Sequence, residues 1–204
     1  PAPLPRSPRL LAPVDVWALL APDALEALRA PRASVEAVLG AASPITVAPE
    51  GFDALYWSFR HLQGREAWQS DGALIERFAP PLGAGVRERF ASSRDVSDAQ
   101  VADAAGVRAR FRASFDALVG GDGVLVMPTM PDVAPLASAE EGTLEDYRNR
   151  AIRMLCISGL AACPQLSLPL GERLGAPFGI SLLGPVGSDR SLVALGERIV
   201  AAAR

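Results

Sequence analysis

The chain has 204 residues, of which 50% are hydrophobic and 21% are charged, and its formal net charge is −3. This composition excludes a disordered protein and gives no basic footprint for a nucleic acid, while the length allows a sizeable core in one domain or two small ones. All 20 basic residues are arginine. Because arginine keeps its proton, the sequence excludes a lysine base, a Schiff base and a Walker-type phosphate lysine.

The N-terminal part predicts two short strands on either side of a broken helix. Residues 1–8 are predicted to be a proline-rich linker, and residues 9–204 to be the C-terminal part of a single α/β domain. The apolar spacing predicts a strand at 9–13 and then a helical stretch that is interrupted at Pro31. A second strand is predicted at 45–47. The apolar face of the helical stretch consists of Leu25, Leu28, Val35, Val38 and Leu39.

The middle of the chain predicts helices. Residues 52–78 have helical spacing, and two further helices are expected around the turn PPLGAG at 80–85. Ser97 and Gln100 form the S-x-x-Q pattern of a capping box, which predicts that a helix begins at Asp98. The apolar residues that carry the first of these helices are Phe52, Leu55, Phe59 and Leu62.

The C-terminal part predicts a sheet that is covered by helices. Residues 124–127 are an uninterrupted apolar run, which is typical of a strand buried on both faces. Strands interleaved with helices and followed by a hairpin indicate an α/β fold with a mixed β-sheet. The elements predicted after the first strand are a helix capped by Thr143, strands at 165–168 and 178–183 joined by a turn at 171–175, and a last helix capped by Ser188.

Three observations bear on the compartment. Cys156 and Cys163 lie in one apolar stretch, so we expect two reduced core thiols of a cytoplasmic protein rather than a disulfide. The proline-rich N-terminus lacks the apolar region of a signal peptide. The charge-free run at 154–171 is broken by Pro164 and Pro169, so we expect no membrane segment and no membrane partner.

Few side chains suggest chemistry of their own. His61 falls within a predicted helix and has no second histidine with which to share a metal, which favours a structural role. A Cys–His nucleophile would need a thiolate, which apolar surroundings disfavour. Ser92 and Ser93 are expected in a polar loop without the glycine-rich turn of an oxyanion hole. The loop at 128–136 follows a buried strand, so a ligand-lining loop and a plain connection both stay open.

Two segments resemble the C-terminal part of the amidase signature family. GVLVMPTMPDVAPL at 123–136 is similar to the family's "D-v-l-l-x-P-T-x-P-x-x-A-P" stretch, and residues 159–199 resemble its closing order of strand, turn, strand and helix. LQGREAW at 62–68 and LGAGVRERF at 82–90 look like the family's preceding helices. The resemblance implies a fold with a mixed sheet covered by helices. It also implies a protein that hydrolyses amides and needs no cofactor. The residues at the places of the closing pattern are Pro164, Ser167, Pro169, Pro177, Gly179, Gly184, Asp189 and Leu192.

The same resemblance implies where chemistry does and does not lie. The family uses a serine nucleophile, a second serine in a cis peptide and a lysine base, all in its earlier portion, so it implies no catalytic residue and no metal ligand in this sequence. It implies that Arg89 would hold a substrate carboxylate. It also implies that Thr129 and Met130 would line the pocket, and that Phe59 and Gln63 would face the same cleft.

The leading hypothesis is the C-terminal portion of an amidase-like hydrolase that acts on carbon–nitrogen amide bonds. Its expected partners are a missing N-terminal catalytic segment of the same fold and a small-molecule amide, with no nucleic acid. Without that segment, unpaired strand edges and apolar surface predict self-association. The alternative is a non-catalytic, stand-alone binding or interaction module derived from the same fold.

Overall fold

The central feature of the fold is a mixed β-sheet. The computed structural model describes residues 3–203, apart from the side chain of Ala84, and in this part of the chain five strands pair in the order β2-β1-β3-β5-β4. Strand β1 runs parallel to β2 and β3, whereas β5 runs antiparallel to β3 and β4. The predicted α/β class with a mixed sheet is therefore confirmed. The strands are β1 (Arg9–Pro13), β2 (Ser43–Ile45), β3 (Gly123–Pro128), β4 (Gln165–Arg173) and β5 (Ala176–Leu183).

Helices surround this sheet in two groups. Helices α3 and α8 pack against each other and against β4, while α4, α6 and α7 pack together, with α6 against β3. Helix α5 makes its main contacts with α4. In residues 3–203, none of the helices has the length and apolarity to cross a membrane. The helices are α1 (Val14–Trp17), α2 (Pro22–Ala27), α3 (Arg29–Leu39), α4 (Asp53–Phe78), α5 (Ala84–Arg94), α6 (Asp98–Val119), α7 (Glu141–Ala161) and α8 (Asp189–Ala202).

Strand β3 lies in the middle of the sheet, as its apolar run predicts. All six of its residues are buried, because strands flank it on both edges and side chains cover both faces. Gly120 ends the preceding helix α6 with a φ of 59°, a conformation that glycine adopts without the steric cost of a side chain. The strand thus anchors the loop that follows it to the core.

The second strand lies two residues before its predicted position. It spans Ser43–Ile45 and includes Pro44. Proline is tolerated there because β2 is an edge strand whose only partner is β1 in the described residues, so the missing N–H breaks no ladder. The last residue of the predicted strand and the residue after it instead bind a side chain. Val47 and Ala48 donate their N–H groups to the Asp15 carboxylate at 3.0 and 2.7 Å.

The helical break predicted at Pro31 is also displaced. Helix α2 ends at Ala27, Leu28 is the junction, and Pro31 lies in the first turn of α3. The first N–H groups of a helix have no partner within it, so a proline costs little there. The sequence therefore shows the break correctly but not its position.

Of the three predicted N-caps, one is confirmed in full. The Ser97 N–H donates to Gln100 Oε1 at 2.9 Å, and the Gln100 N–H donates to Ser97 Oγ at 3.2 Å, which completes the capping box of α6. Thr143 is wrong as a cap, because α7 begins at Glu141 and Thr143 lies inside its first turn. Ser188 does precede α8, but its hydroxyl makes no capping hydrogen bond.

The C-terminal hairpin is confirmed, with longer strands and a tighter turn than predicted. Strands β4 and β5 extend to Arg173 and Ala176, so only Leu174 and Gly175 connect them, with φ values of 54° and 75°. Two consecutive positive φ values match the twist that a two-residue hairpin requires. The tight turn places Arg173 at the end of the sheet, where it contacts the loop after β3.

Residues 3–8 form neither helix nor strand but lie against α8. The Leu4 N–H donates to Ser191 Oγ at 3.1 Å, and Arg198 Nη1 donates to the Arg6 carbonyl at 2.7 Å. Residues 1 and 2 of the predicted linker, and residue 204 of the predicted domain, lie outside the described residues. The division into linker and domain stays a prediction.

Candidate functional site

A cleft of about 680 Å³ lies between α4 and α5 and reaches the start of α6. Helix α4 contributes Trp57, His61 and Gln63, and α5 contributes Arg89. Helix α5 packs mainly against α4, and the cleft lies between these two helices. A smaller, apolar groove of about 380 Å³ lies elsewhere in the fold, between β4 and α8.

The cleft combines an aromatic wall with cationic groups. Trp57 is 54% exposed, and its ring lies 5.7 Å from the His61 ring, centroid to centroid. Arg60 and Arg89 add two guanidinium groups, and Asp95 adds one carboxylate. An exposed indole next to guanidinium donors suits a ligand with a flat apolar group and an anionic end, because guanidinium binds carboxylates through paired N–H groups.

The cleft serines are not activated nucleophiles. Ser92 and Ser93 lie in the last turn of α5, so the expected polar loop is wrong. Their hydroxyls donate to carbonyl groups one turn earlier in the helix, at Glu88 (3.0 Å) and Arg89 (2.7 Å). A hydroxyl engaged in this way with its own helix has no general base to take its proton.

A second polar feature is a hydroxyl cluster, made of Thr129, Gln165, Ser167 and Ser181, where β3, β4 and β5 meet. Thr129 Oγ1 lies 2.8 Å from Ser181 Oγ, and Gln165 Nε2 donates to Ser181 Oγ at 3.0 Å. Ser167 Oγ donates to Thr129 Oγ1 at 3.3 Å. Ser181 is fully buried and Ser167 is exposed, so the cluster extends from the sheet interior to its surface.

The structure distributes the five predicted site residues over separate places. Gln63 and Arg89 line the cleft between α4 and α5. Phe59 is half-buried against α7, where its ring covers Gly159 so closely that a Cβ there would lie 2.7 Å from Phe59 Cε2. Thr129 belongs to the hydroxyl cluster, and Met130 follows it at the start of the loop.

Sequence reasoning missed most of the hydroxyl cluster. Only Thr129 was predicted as a site residue, whereas Ser181 and Gln165 were taken as ordinary strand positions. Ser167 and Ser181 are opposite each other in the register of β4 and β5. The available signal was the polar residues Gln165, Ser167 and Ser181 among apolar strand positions, but the pairing register is needed to bring them together.

The thiols are unsuited to catalysis, as their apolar surroundings predict. Burial raises the pKa of the Cys156 thiol to about 12, and burial likewise raises the pKa of the Cys163 thiol to about 12. The reactive form of cysteine is the thiolate, which is scarce at neutral pH when the pKa is this high. Among residues 3–203, no three potential metal-binding side chains come together.

The sequence is similar to curated amidases over most of its length. It is 34% identical to Amidase 1 of Arabidopsis thaliana over 148 residues, which is 72% of this chain and 35% of that protein. It is 31% identical to Outer envelope protein 64, chloroplastic, of the same organism over 132 residues, 65% of this chain and 22% of that protein. The chain thus spans about a third or less of the length of these relatives. No protein-family model matches it.

The fold is that of solved amidases. A crystal structure of amidase superposes with a TM-score of 0.84 and 20% sequence identity, covering 98% of this chain and 47% of that one. The superposition includes the sheet and both groups of helices, because it extends over almost all of the chain. Together with the identity to curated amidases, this fold shows that the chain belongs to the amidase signature family whose motifs it resembles.

Proposed function

We propose that this chain is the C-terminal portion of an amidase-like hydrolase that transfers the acyl group of a small-molecule amide to water. The similarity to Amidase 1 over 72% of the chain carries the proposal. The chain accounts for 35% of that relative, which leaves room for a catalytic segment of the same fold outside this sequence. The part from residue 9 to residue 204 would then be one portion of a larger α/β domain.

The residues of this chain support a role in binding rather than in bond cleavage. The sequence has no lysine to serve as a base. The serines of the cleft bind their own helix, and the thiols are protonated at neutral pH. A serine alcohol needs a neighbouring base to become a useful nucleophile. Nucleophile, base and oxyanion hole would therefore come from the N-terminal segment.

In this proposal the chain supplies the sheet and a wall of the substrate pocket. The Arg89 guanidinium would hold a carboxylate of the substrate, with Gln63 beside it in the cleft. Thr129 and Met130 would line the pocket at the end of β3, and Phe59 would support the wall from α4. Fixing an amide against such a wall lowers the entropic cost of reaching the transition state.

The test compares the chain alone with a form that also carries the N-terminal segment. We expect no hydrolysis of aryl or aliphatic amides by the chain alone and measurable hydrolysis by the longer form. General acid–base catalysis typically contributes about 10²–10⁴-fold, so its loss together with the nucleophile leaves only background. Turnover by the chain alone that survives His61→Ala, Cys156→Ala and Cys163→Ala would contradict the proposal.

A second candidate function is a non-catalytic binding or interaction module with the amidase fold. The observation that favours it is the similarity to Outer envelope protein 64, whose name describes an envelope protein and not a hydrolase. A longer form that binds amides in the cleft without hydrolysing any of them would support this candidate. Hydrolysis by the longer form would exclude it.

A further inference from the structure

The loop between β3 and α7 is fixed at its first residue. The Thr129 N–H donates to the Gly179 carbonyl at 3.1 Å, and Thr129 Oγ1 lies 2.8 Å from Ser181 Oγ. Both partners belong to β5, so Thr129 continues the sheet. The next two residues, Met130 and Pro131, are half-buried and buried. The placement of Met130 and Pro131 therefore also depends on the contacts of the residue that follows them.

Asp132 holds the chain on that side through three hydrogen bonds. Its Oδ1 atom accepts the N–H of Val133 and Arg173 Nη1, each at 2.7 Å. Its carbonyl oxygen accepts the Tyr147 hydroxyl of α7 at 3.1 Å. The bond to Val133 is internal to the loop, so among residues 3–203 the hydrogen bonds that connect Asp132 to other elements come from Arg173 and Tyr147.

Arg173 stands at the end of β4 and bridges two carboxylates. Its Nη1 atom binds Asp132, and its Nη2 atom binds Asp23 of α2. The Arg173 side chain is 15% exposed, and the exposed fractions of Asp132 and Asp23 are 28% and 65%. Water therefore screens the contact with Asp132 less than the contact with Asp23. The hydrogen bond from Arg173 also holds the pKa of the Asp23 carboxyl below its usual value.

We infer that Arg173 is a positioning residue for the loop after β3: by holding Asp132 it fixes how Met130 and Pro131 are presented. Both ends of this two-residue segment are then attached, one to β5 and one to the tip of the β4–β5 hairpin. The idea that this segment lines a substrate pocket rests on the proposed function. The role of Arg173 in ordering the segment is independent of that function.

Arginine suits this position for a geometric reason. The carboxylates of Asp132 and Asp23 bind different terminal nitrogens of Arg173. A planar guanidinium can bind both of them at the same time. A lysine ammonium is a compact charge and would engage Asp132 or Asp23 less firmly. The Arg173→Lys variant keeps the positive charge but loses the planar guanidinium, so it separates the effect of the charge from the effect of the two N–H donors.

Hydrogen exchange of the purified chain, followed by mass spectrometry, tests the inference. We expect Arg173→Met to raise the exchange of peptides covering 129–136 by about tenfold, as for the loss of a charge-assisted hydrogen bond, while peptides covering β3 stay protected. Arg173→Lys should restore part of the protection. Asp132→Asn should loosen the same peptides, and Asp23→Asn should change them little.

Two results would overturn the inference. Unchanged exchange at 129–136 in both Arg173→Met and Asp132→Asn would show that Arg173 does not order the loop. An equal rise in the loop and in β3 would show that Arg173 only contributes to global stability. If Arg173→Met does not fold, Asp132→Asn carries the test. No step requires amide turnover, so a chain that proves non-catalytic can still confirm the ordered loop, and a hydrolase can still refute it.

Discussion

The two cysteines show how burial changes the chemistry of a side chain. Cys156 is fully buried and Cys163 is half-buried, and neither forms a disulfide. Burial disfavours the charged thiolate, so both thiols have a pKa of about 12 in the folded protein. The ordinary pKa of a cysteine thiol in an unfolded chain is about 8.5–9. This difference couples the protonation of the cysteines to the free energy of unfolding.

The first prediction follows from the sign of that difference. A raised pKa means that above about pH 9 the unfolded chain releases protons that the folded chain retains, so stability is complete below pH 9 and falls between pH 9 and 12. Each thiol should cost about 1 kcal/mol between pH 9 and pH 10. Urea unfolding at pH 8, 9 and 10 measures this loss. The double variant Cys156→Ala, Cys163→Ala should keep only the smaller slope from Tyr147, whose pKa burial also raises. An unchanged slope would contradict the prediction.

The second prediction concerns Arg89 in the cleft. In a form that carries the N-terminal segment, Arg89→Ala should raise KM for amides that bear a carboxylate, because a charge-assisted hydrogen bond of about 1.5–3 kcal/mol is lost. Arg87 is the matched control, since it lies on the same helix outside the cleft and donates to the Leu82 carbonyl. If Arg89→Ala raised KM equally for acidic and neutral amides, or if Arg87→Ala had the same effect as Arg89→Ala, Arg89 would have a structural role only.

Helix caps of similar sequence differ in what their hydroxyls do. Ser97 begins α6 with a complete capping box, whereas Ser188 precedes α8 with a hydroxyl that has no hydrogen-bond partner in the described residues. Ser188 is 3% exposed and lies under Gly184, where an added Cβ would approach Ser188 Oγ to 2.5 Å. A buried polar atom without a hydrogen-bond partner lowers the free energy of unfolding, whereas a hydrogen-bonded cap raises it.

The third prediction uses these two serines as a matched pair. Ser97→Ala should lower the free energy of unfolding by about 1 kcal/mol, because it removes the bond to the Gln100 N–H. Ser188→Ala should leave stability unchanged or raise it, because it removes an unpaired hydroxyl. Thermal and urea unfolding of both variants against the original chain measure the difference. Equal losses at both positions would show that the Ser188 hydroxyl has a stabilising partner.

At the scale of the whole molecule, strand β4 forms one of the two edges of the described sheet. Strand β4 pairs only with β5 in residues 3–203, and an apolar groove of about 380 Å³ runs between it and α8. Leu166, Leu168 and Val193 line this groove. Pro169 lies at the register shift of β4 and lacks an N–H, which limits edge pairing to the first part of the strand.

The fourth prediction is that the chain alone self-associates or binds a hydrophobic dye through this edge. Exposed strand edges and apolar grooves favour such contacts. Light scattering and dye fluorescence measure both effects, and the N-terminal segment should suppress them. Leu166→Ser should weaken association, while Leu74→Ser should not, because Leu74 is an exposed leucine on α4, which packs against α5, α6 and α7. A cooperatively melting monomer without dye binding would favour the stand-alone module.

Local patterns in the sequence predict most elements of this fold. The capping box of α6, the buried run of β3 and the hairpin near the C-terminus each depend on residues within one or two turns or strands. The errors occur where tertiary contacts replace a local signal. Pro44 lies in a strand because that strand is at an edge, and Thr143 fails as a cap because α7 begins three residues earlier than predicted.

The amino-acid sequence alone thus supports the α/β class, the family resemblance and the lack of a lysine base, since each rests on residue identity or short-range spacing. The candidate site required the three-dimensional structure. Thr129 and Ser181 are separated by 52 positions, Asp132 and Arg173 by 41, and Asp23 and Arg173 by 150. Strand register and helix packing bring such distant residues together, and these depend on the burial of the whole core rather than on any local pattern.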